Sequence, residues 1–599
     1  MTFSYQTAFD ARTDLQKYNE NALALFALQL RFQIEDIETV AASSLTGGRG
    51  DKKCDLIYVD KEAGYIIVIQ AYMAQIPTNK QAAPSNKASD LNTAAAWLFN
   101  SPLDNLPEGI RSAAGEVRSS LEANQIRFVQ FWYVHNLPES TNVKDELQIV
   151  EQTVNNALKT HFPNSEVENL STLEVGQKTL DEWYRALEAP ILVTDKFTIP
   201  ISGGYTISGS EWEAFVTAIP LTWLHEVFQT YSDKLFSANV RGYLGSRKSD
   251  NNINNGIKST AKDEPNQFWV FNNGITGLVY EFKESEANQS EEECSTNTLE
   301  ISSTHTLEIT GISIVNGAQT TGALGSLDTS PDGTGYVQAR FVKCDNPKTI
   351  RKIIEFNNRQ NVVEASDFRS NDSIQRRLRE EFNNIPDTTY YGGRRGGSED
   401  VIRRPPNLLS SDTVAQALAA FHQDPVIAYN NKSDIWRVDT IYSKYFTEQI
   451  SAEHIVFVYS LLRSIEAKKL RLVDKNKAGT LLQAEQEQLD FLQRRGAHFL
   501  LTSAIANCLE TFLDKQVPNA FRVSFGRQVS PEPAEKFWEP IVEVTIPFCK
   551  QLLPAVKKSL NSNDDAKDAI SNFKAFVESI KEIHVARFQS FATLVQIRS

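Results

Sequence analysis

Residues 268–282 read FWVFNNGITGLVYEF, and residues 307–324 read LEITGISIVNGAQTTGAL. Two apolar runs each meet an Asn-Gly step. Phe268 to Phe271 reads as a buried strand ending in Asn272-Asn273-Gly274. Ile312 to Val315 reads as a short β-branched strand ending in Asn316-Gly317. Asn and Gly both tolerate positive φ, so each step is turn chemistry. A hairpin would continue into a second alternating strand, whereas Ala318-Gln319-Thr320-Thr321 are small and helix-compatible. A strand, a glycine turn and a helix start gather backbone N–H groups at a helix N-terminus, which is a seat for anions. The same pattern also describes an ordinary strand–turn–helix corner.

Working outward, Tyr336 to Val342 alternates as a strand, and Thr349 to Asn358 reads as a helix. A second helix runs through Phe382, with a cap between Ser366 and Arg369. Upstream, Ser210 to Ala218 and residues 221–237 read as helices. The Glu-, Ser-, Thr- and Asn-rich segment 283–306 reads as a surface excursion. Arg369, Arg376, Arg377 and Arg379 lie on or near one helix. YYGGRRGG at 390–397 and RRPP at 403–406 follow. Paired Arg and paired Tyr between glycines suit phosphate forks and base stacking, with Arg394 and Arg395 at the centre. A solvated helix face paired to Glu380 and Glu381 is the other reading.

At 599 residues the chain exceeds the size of one core. A net charge of −14 argues against coating nucleic acid with the whole surface, yet leaves room for a local basic groove. No apolar run has the length of a membrane span, and the first residues lack the basic start and apolar core of a signal peptide. Cys54, Cys294, Cys344, Cys508 and Cys549 are scattered, without a CxxC. That spacing fits free thiols in a reducing cytoplasm.

The N-terminal block opens with helical spacing over residues 11–40, which carry Glu20, Glu35 and Asp36. A Gly-rich turn at 46–50 precedes two strands, Asp55 to Asp60 and Tyr65 to Tyr72. A helix over Ala88 to Phe99, a strand over 126–136 and a helix over Asp145 to Phe162 follow. Alternating strands and helices make α/β architecture. His135, at a strand end, reads as structural. From Asp412 onward helical periodicity dominates, with helices at Val414 to Phe421, Glu453 to Ile465, Leu481 to Leu492, His498 to Leu513 and Ala566 to Phe591. That part reads as an all-α domain for partner contact, dimerisation or clamping.

NNGIT followed by VNGAQTT resembles the AIPR family, named for abortive infection and phage resistance in bacteria. NVRGYLG at 239–245, INNGI at 253–257 and FNNRQN at 356–361 agree with it in order, and the likeness covers roughly residues 20–440. Helix, strand, turn and strand in the N-terminal block resemble the PD-(D/E)xK nuclease-like core. The resemblances imply a multi-domain α/β protein. Residues 1–200 would be a restriction-endonuclease-like domain, 201–411 a central mixed α/β domain and 412–599 a helical domain. They imply bacterial antiphage defence, with metal-dependent cleavage of DNA or RNA phosphodiester bonds.

In that pattern Asp55 matches the metal-binding Asp and Gln70 the Glu/Gln. Together they would hold Mg²⁺ or Mn²⁺, with Glu20 or Glu35 as an extra ligand. Position 72 is Tyr where the pattern has Lys, so Lys80 or Lys87 would stand in. The bland alternative makes Asp55 a strand-end acid and Gln70 a sheet-edge amide. The central domain is similar, more distantly, to ParB and sulfiredoxin-like nucleotide-handling domains. A nucleotide or nucleic-acid phosphate would then meet Asn273, Gly274, Asn316, Gly317, Gln319, Thr320, Asn358, Arg359 and Gln360. Two rivals remain: a decayed nuclease that binds nucleic acid or a phage protein as a sensor, and a nucleotide switch in the central domain. A homo-oligomer, such as a dimer, is the expected assembly, away from membranes.

Overall fold

The computed structural model describes residues 3–46, 52–75, 82–188, 191–237, 250–286, 305–359, 369, 372–392, 404–405, 407–526, 528–557 and 560–598. The chain forms two compact units. One joins residues 1–7, 30–32 and 178–363; the other joins 8–29, 33–177 and 364–599. The main divisions therefore fall at 177/178 and 363/364, where the sequence reading has boundaries at 200 and 411.

In the second unit β1 (Leu56–Asp60) and β2 (Tyr65–Tyr72) form an antiparallel hairpin, with Leu56 opposite Ile69 and Asp60 opposite Tyr65. The Asp60 carboxylate closes the turn by accepting from the Glu62 and Ala63 amides at 3.1 and 2.9 Å. Gly64 ends the turn at φ +82°, a conformation that favours glycine. Strand β3 (Phe128–His135) lies parallel to β2, and β4 (Asn169–Val175) parallel to β3, giving the order β1-β2-β3-β4. Parallel neighbours need crossovers. The helices Ser85–Ala95 and Glu108–Glu122 supply the first, and Thr141–His161 the second. Ile57, Ile66, Val68, Val129 and Phe131 pack with Leu91, Leu98, Ile110, Val150 and Val154 in one core. Each such side chain contributes about 1.5–3 kcal/mol.

The first unit holds a seven-stranded sheet. Its strands are β5 (Val193–Ile201), β6 (Gly204–Ser208), β7 (Trp212–Pro220), β8 (Ile275–Val279), β9 (Glu281–Glu286), β10 (His305–Asn316) and β11 (Tyr336–Cys344). The order is β5-β10-β8-β11-β7-β6, with β9 also on β10, and only β8 and β11 run parallel. Two expectations are corrected here. Residues expected as a helix at 210–218 are mostly strand β7, because Ala214, Phe215 and Ile219 pair with Val342, Phe341 and Val337 of β11 and are buried on the two faces of the sheet. Phe268–Phe271 is a helical turn rather than a buried strand: Phe268 is buried while Trp269, Val270 and Phe271 are exposed. The strand starts after Asn272-Asn273-Gly274, not before it.

The C-terminal part of the second unit is helical and shares a core around Trp436 and Trp538. Its longest helix, Ala452–Ala478, is capped by Ser451, whose Oγ accepts from the His454 amide at 3.2 Å, and ends at Gly479 with φ +71°. The single helix expected over Ala566 to Phe591 is two, Asn563–Ser579 and Val585–Leu594. Arg463 ties this long helix to the N-terminal segment. Its guanidinium donates to Asp36, to Thr39 Oγ1 at 3.0 Å and to Tyr459 Oη at 2.9 Å. Arg404 adds a second buried guanidinium within 3.8 Å of Asp36 and 3.5 Å of Glu38. These cations hold the Asp36 carboxyl below its usual range despite a burial penalty that acts the other way. Removing one partner of such a buried pair costs about 3–5 kcal/mol.

Among the described residues no helix is long and apolar enough to cross a membrane. Cys344, Cys508 and Cys549 are free thiols, Cys54 is buried, and Cys294 lies outside the described residues.

Candidate functional site

Where β2, β3 and β4 end and β1 begins, polar side chains replace apolar ones. Asp55 immediately precedes β1. Its Oδ2 accepts from Gln70 Nε2 at 2.6 Å and from the Ala71 amide at 2.7 Å. In the neighbouring registers Gln70 lies opposite Tyr133, and Tyr133 opposite Glu174. Side chains alternate between faces along a strand. Asp55 therefore shares the face of Ile57, Gln70 that of Val68 and Tyr133 that of Phe131, which is the face the crossover helices cover. Asp55, Gln70, Tyr133 and Glu174 form one row across the sheet. The carboxyl ends of parallel strands are where α/β sheets bind ligands.

Each member of the row has a defined environment. Gln70 is 6% exposed, and its Oε1 is buried without a hydrogen-bond partner. An oxygen left so costs about 1–3 kcal/mol. Tyr133 Oη donates to the Pro84 carbonyl at 3.2 Å, and burial pushes its phenol up, so it stays a neutral donor. Glu174 accepts from the Ser140 amide at 3.1 Å. His135 Nδ1 accepts from the Leu137 amide at 3.3 Å, which leaves the proton on Nε2 facing Glu174 Oε1 at 3.1 Å. His135 is thus satisfied on both nitrogens.

Of the other residues proposed for this site, Lys87 and Glu20 hold ion-pair partners of their own and Lys80 is undescribed. Lys87, on the helix Ser85–Ala95, lies 3.9 Å from Asp90 Oδ2. Lys80 is outside the described residues. Glu20 pairs with Lys477 at 2.9 Å, and Glu35 is half-buried. Among the described residues no three His, Cys, Asp or Glu gather as a metal-holding group, so Glu20 and Glu35 do not complete one with Asp55. Tyr72 packs partly buried at the edge of the core. Asp55 and Gln70 offer one carboxylate and one orphaned amide oxygen side by side, while the Glu174 carboxylate is held by Ser140 and His135. That pair fits Mg²⁺ or Mn²⁺, which bind hard oxygens and keep several waters. Sequence reasoning missed Tyr133 and Glu174, because no sequence spacing reveals which residues line up across strands.

The two Asn-Gly steps abut at one end of the seven-stranded sheet. Gly274 has φ +79°, and a Cβ there would lie 2.6 Å from the Gln338 carbonyl oxygen. Gly317 has φ +84°, and a Cβ there would lie 2.8 Å from the Gly274 carbonyl oxygen and 2.6 Å from Ile275 Cγ2. Close backbone approach therefore demands both glycines. Asn316 ends β10, and the helix Ala318–Gly325 follows Gly317 as expected. Asn273 is exposed, Gln319 half-buried and Thr320 buried. Arg340 Nη2 bridges Thr276 Oγ1 and Asn357 Oδ1, each at 3.1 Å. Asn358 and Arg359 end the helix Pro347–Arg359, with side chains outside the description, as is the whole of Gln360.

In the basic stretch Arg376 is exposed and Arg377 pairs with Glu381, while three arginines reach backbone carbonyls. Arg369 donates to the Trp436 carbonyl at 3.0 Å, Arg377 to that of Ile450 at 2.8 Å and Arg379 to that of Gly392 at 2.7 Å. Arg404 is buried among acids. Arg394 and Arg395 lie outside the described residues.

A family model described as AIPR protein matches residues 236–536, which is just over half of the chain. The match starts later and ends later than the likeness read from the motifs, and it leaves the four-stranded sheet outside. No curated protein and no solved structure matches the chain.

Proposed function

For this chain, which belongs to the AIPR family, we propose metal-dependent phosphodiester cleavage at the Asp55–Gln70 end of the four-stranded sheet. The family suggests a part in abortive infection, that is, in defence against phage. The cleavage reading is carried by one observation. Gln70 spends its amide nitrogen on Asp55 and leaves Oε1 buried and unpartnered beside that carboxylate. What singles this orphan out is the carboxylate beside it, and a hard cation is the ligand whose chemistry fits that pair of oxygens. The helix–strand–turn–strand order of Ile37–Ser44, β1 and β2 supports the same reading.

Asp55 and Gln70 would hold Mg²⁺ or Mn²⁺. The chemistry such an ion supplies when bound is an activated water and relief of phosphate charge. The chain's own contribution is orientation. The Ala71 amide fixes Asp55 Oδ2, and the Tyr133 phenol anchors the crossover helix to the strand beside Gln70. Incubating the purified protein with plasmid DNA and with RNA, in Mg²⁺ or Mn²⁺, tests the reading beside Asp55→Ala. Cleavage by the wild type that is lost in Asp55→Ala supports it; equal cleavage by both rejects it.

Tyr72 favours a second reading, in which the site binds a nucleic-acid strand or a phage protein without cutting. Binding retained without cleavage would support that reading. The abutting turns at Gly274 and Gly317, with their short helix, keep a nucleotide site in the seven-stranded sheet as a lesser proposal.

A further inference from the structure

The Asp55–Gln70 pair has basic neighbours on its own end of the sheet. Lys53 precedes Asp55 by two residues. Lys52 and Lys53 both adopt left-handed backbone, at φ +54° and +68°, which side-chain-bearing residues rarely hold in succession. This bend lays the Lys52 ammonium 4.1 Å from the centre of the Trp97 ring and brings Lys53 Nζ within 3.4 Å of Asp90 Oδ2. Lys87 reaches the same oxygen, 3.9 Å away, from the first turn of the helix Ser85–Ala95. One carboxylate oxygen thus bridges two ammonium groups. The helix that carries Lys87 and Asp90 follows Pro84, whose carbonyl holds the Tyr133 phenol, and Tyr133 is the register neighbour of Gln70.

We propose that Lys53 and Lys87 form the seat for a backbone phosphate of a nucleic-acid strand beside Asp55 and Gln70, and that Asp90 fills this seat until the strand displaces it. The inference rests on the nucleic-acid reading of the site and adds its phosphate contacts and the latch. An anionic oxygen between two ammonium groups is the arrangement a phosphate oxygen adopts with lysines. Lys53 and Lys87 are 50% and 39% exposed and Asp90 is 23% exposed. Pairs that reach water this freely hold weakly, so carboxylate and phosphate can exchange without opening the core. The arrangement also answers Tyr72. The positive charge missing from that position comes from the turn before β1 and from the crossover helix.

Binding of a fluorescein-labelled DNA oligonucleotide, and of its RNA counterpart, to the full chain in EDTA tests this without any cleavage. The double variant K53A/K87A should weaken binding about tenfold. It should also lower the slope of log K against log salt by about 1, the share of one phosphate. Asp90→Asn, which keeps the shape and removes the charge, should tighten binding severalfold. Unchanged binding in the double variant overturns the seat, and weaker or unchanged binding in Asp90→Asn overturns the latch. Circular dichroism of each variant separates these results from misfolding. Because no metal is present, a failure here leaves the Asp55→Ala cleavage test untouched, and a failure there leaves these binding results standing.

Discussion

In the seven-stranded sheet, the end where β8 begins and β10 stops is closed by backbone. Gly274 and Gly317 let main chains touch, and a side chain at either position would collide with a carbonyl oxygen. In the four-stranded sheet, the end where β1 begins and β2 stops is closed by side chains. Asp55 and Gln70 grip each other, and one buried oxygen is left over. The first end is conspicuous in sequence, since Asn-Gly after an apolar run is easily seen. The second is quiet, since an Asp and a Gln fifteen positions apart form no motif by themselves. Packing explains the two glycines at the conspicuous end, whereas the quiet one carries a buried oxygen without a hydrogen-bond partner. A glycine motif therefore reports first on backbone approach.

The comparison can be strained first by acid, which should act on the unit that contains the four-stranded sheet. There His454 is buried, its Nδ1 donates to the Val523 carbonyl at 2.8 Å, and its Nε2 meets His422 Nε2 at 3.2 Å. Burial lowers the His454 pKa to about 4 and holds His422 well below its usual value. The unfolded chain then binds more protons than the folded one between about pH 6.5 and 4. Stability should fall as pH drops through that window, by ~3 kcal/mol for His454 alone. Urea melts at pH 7 and pH 4.5 measure it, and a His454→Gln variant should flatten the difference.

A smaller effect is expected at the glycine end. Gly317→Ala should cost about 2–3 kcal/mol through left-handed strain and overpacking. Thermal melts check it, and a loss under 0.5 kcal/mol would remove the packing explanation. The smallest effect belongs to the other end. Gln70→Leu removes both the orphaned oxygen and the bond to Asp55, so stability should stay within about 1 kcal/mol of the wild type while cleavage disappears. A large destabilisation with cleavage intact would make Gln70 a structural residue and reverse the comparison.

How far the sequence revealed this depends on the kind of signal. The β1–β2 hairpin was legible because two β-branched runs flank a turn that ends in Gly64. The Ile312–Val315 strand, Gly317 and the helix after it were legible for the same reason. Phe268–Phe271 was not, because four apolar residues satisfy a strand and a helical turn equally. Only the fold decides that Phe268 goes inward and Trp269 outward. Trp212–Pro220 carries Glu and Ala that suggest helix, and pairing with β11 overrides them. Asp55 and Gln70 were found by resemblance to a nuclease core. Tyr133, Glu174, Lys53 and Asp90 needed register and crossover geometry, which spacing along a chain does not encode. Arg377 and Arg379, which reach backbone carbonyls, teach the same lesson from the other side, since a basic run in sequence says nothing about which carbonyls it will meet.

The most direct measurement is titration calorimetry of Mn²⁺ into the full chain, beside Asp55→Ala and Gly317→Ala. A binding heat in the wild type should vanish in Asp55→Ala and survive in folded Gly317→Ala. Mn²⁺ binding unchanged by Asp55→Ala would contradict a metal site at Asp55 and Gln70.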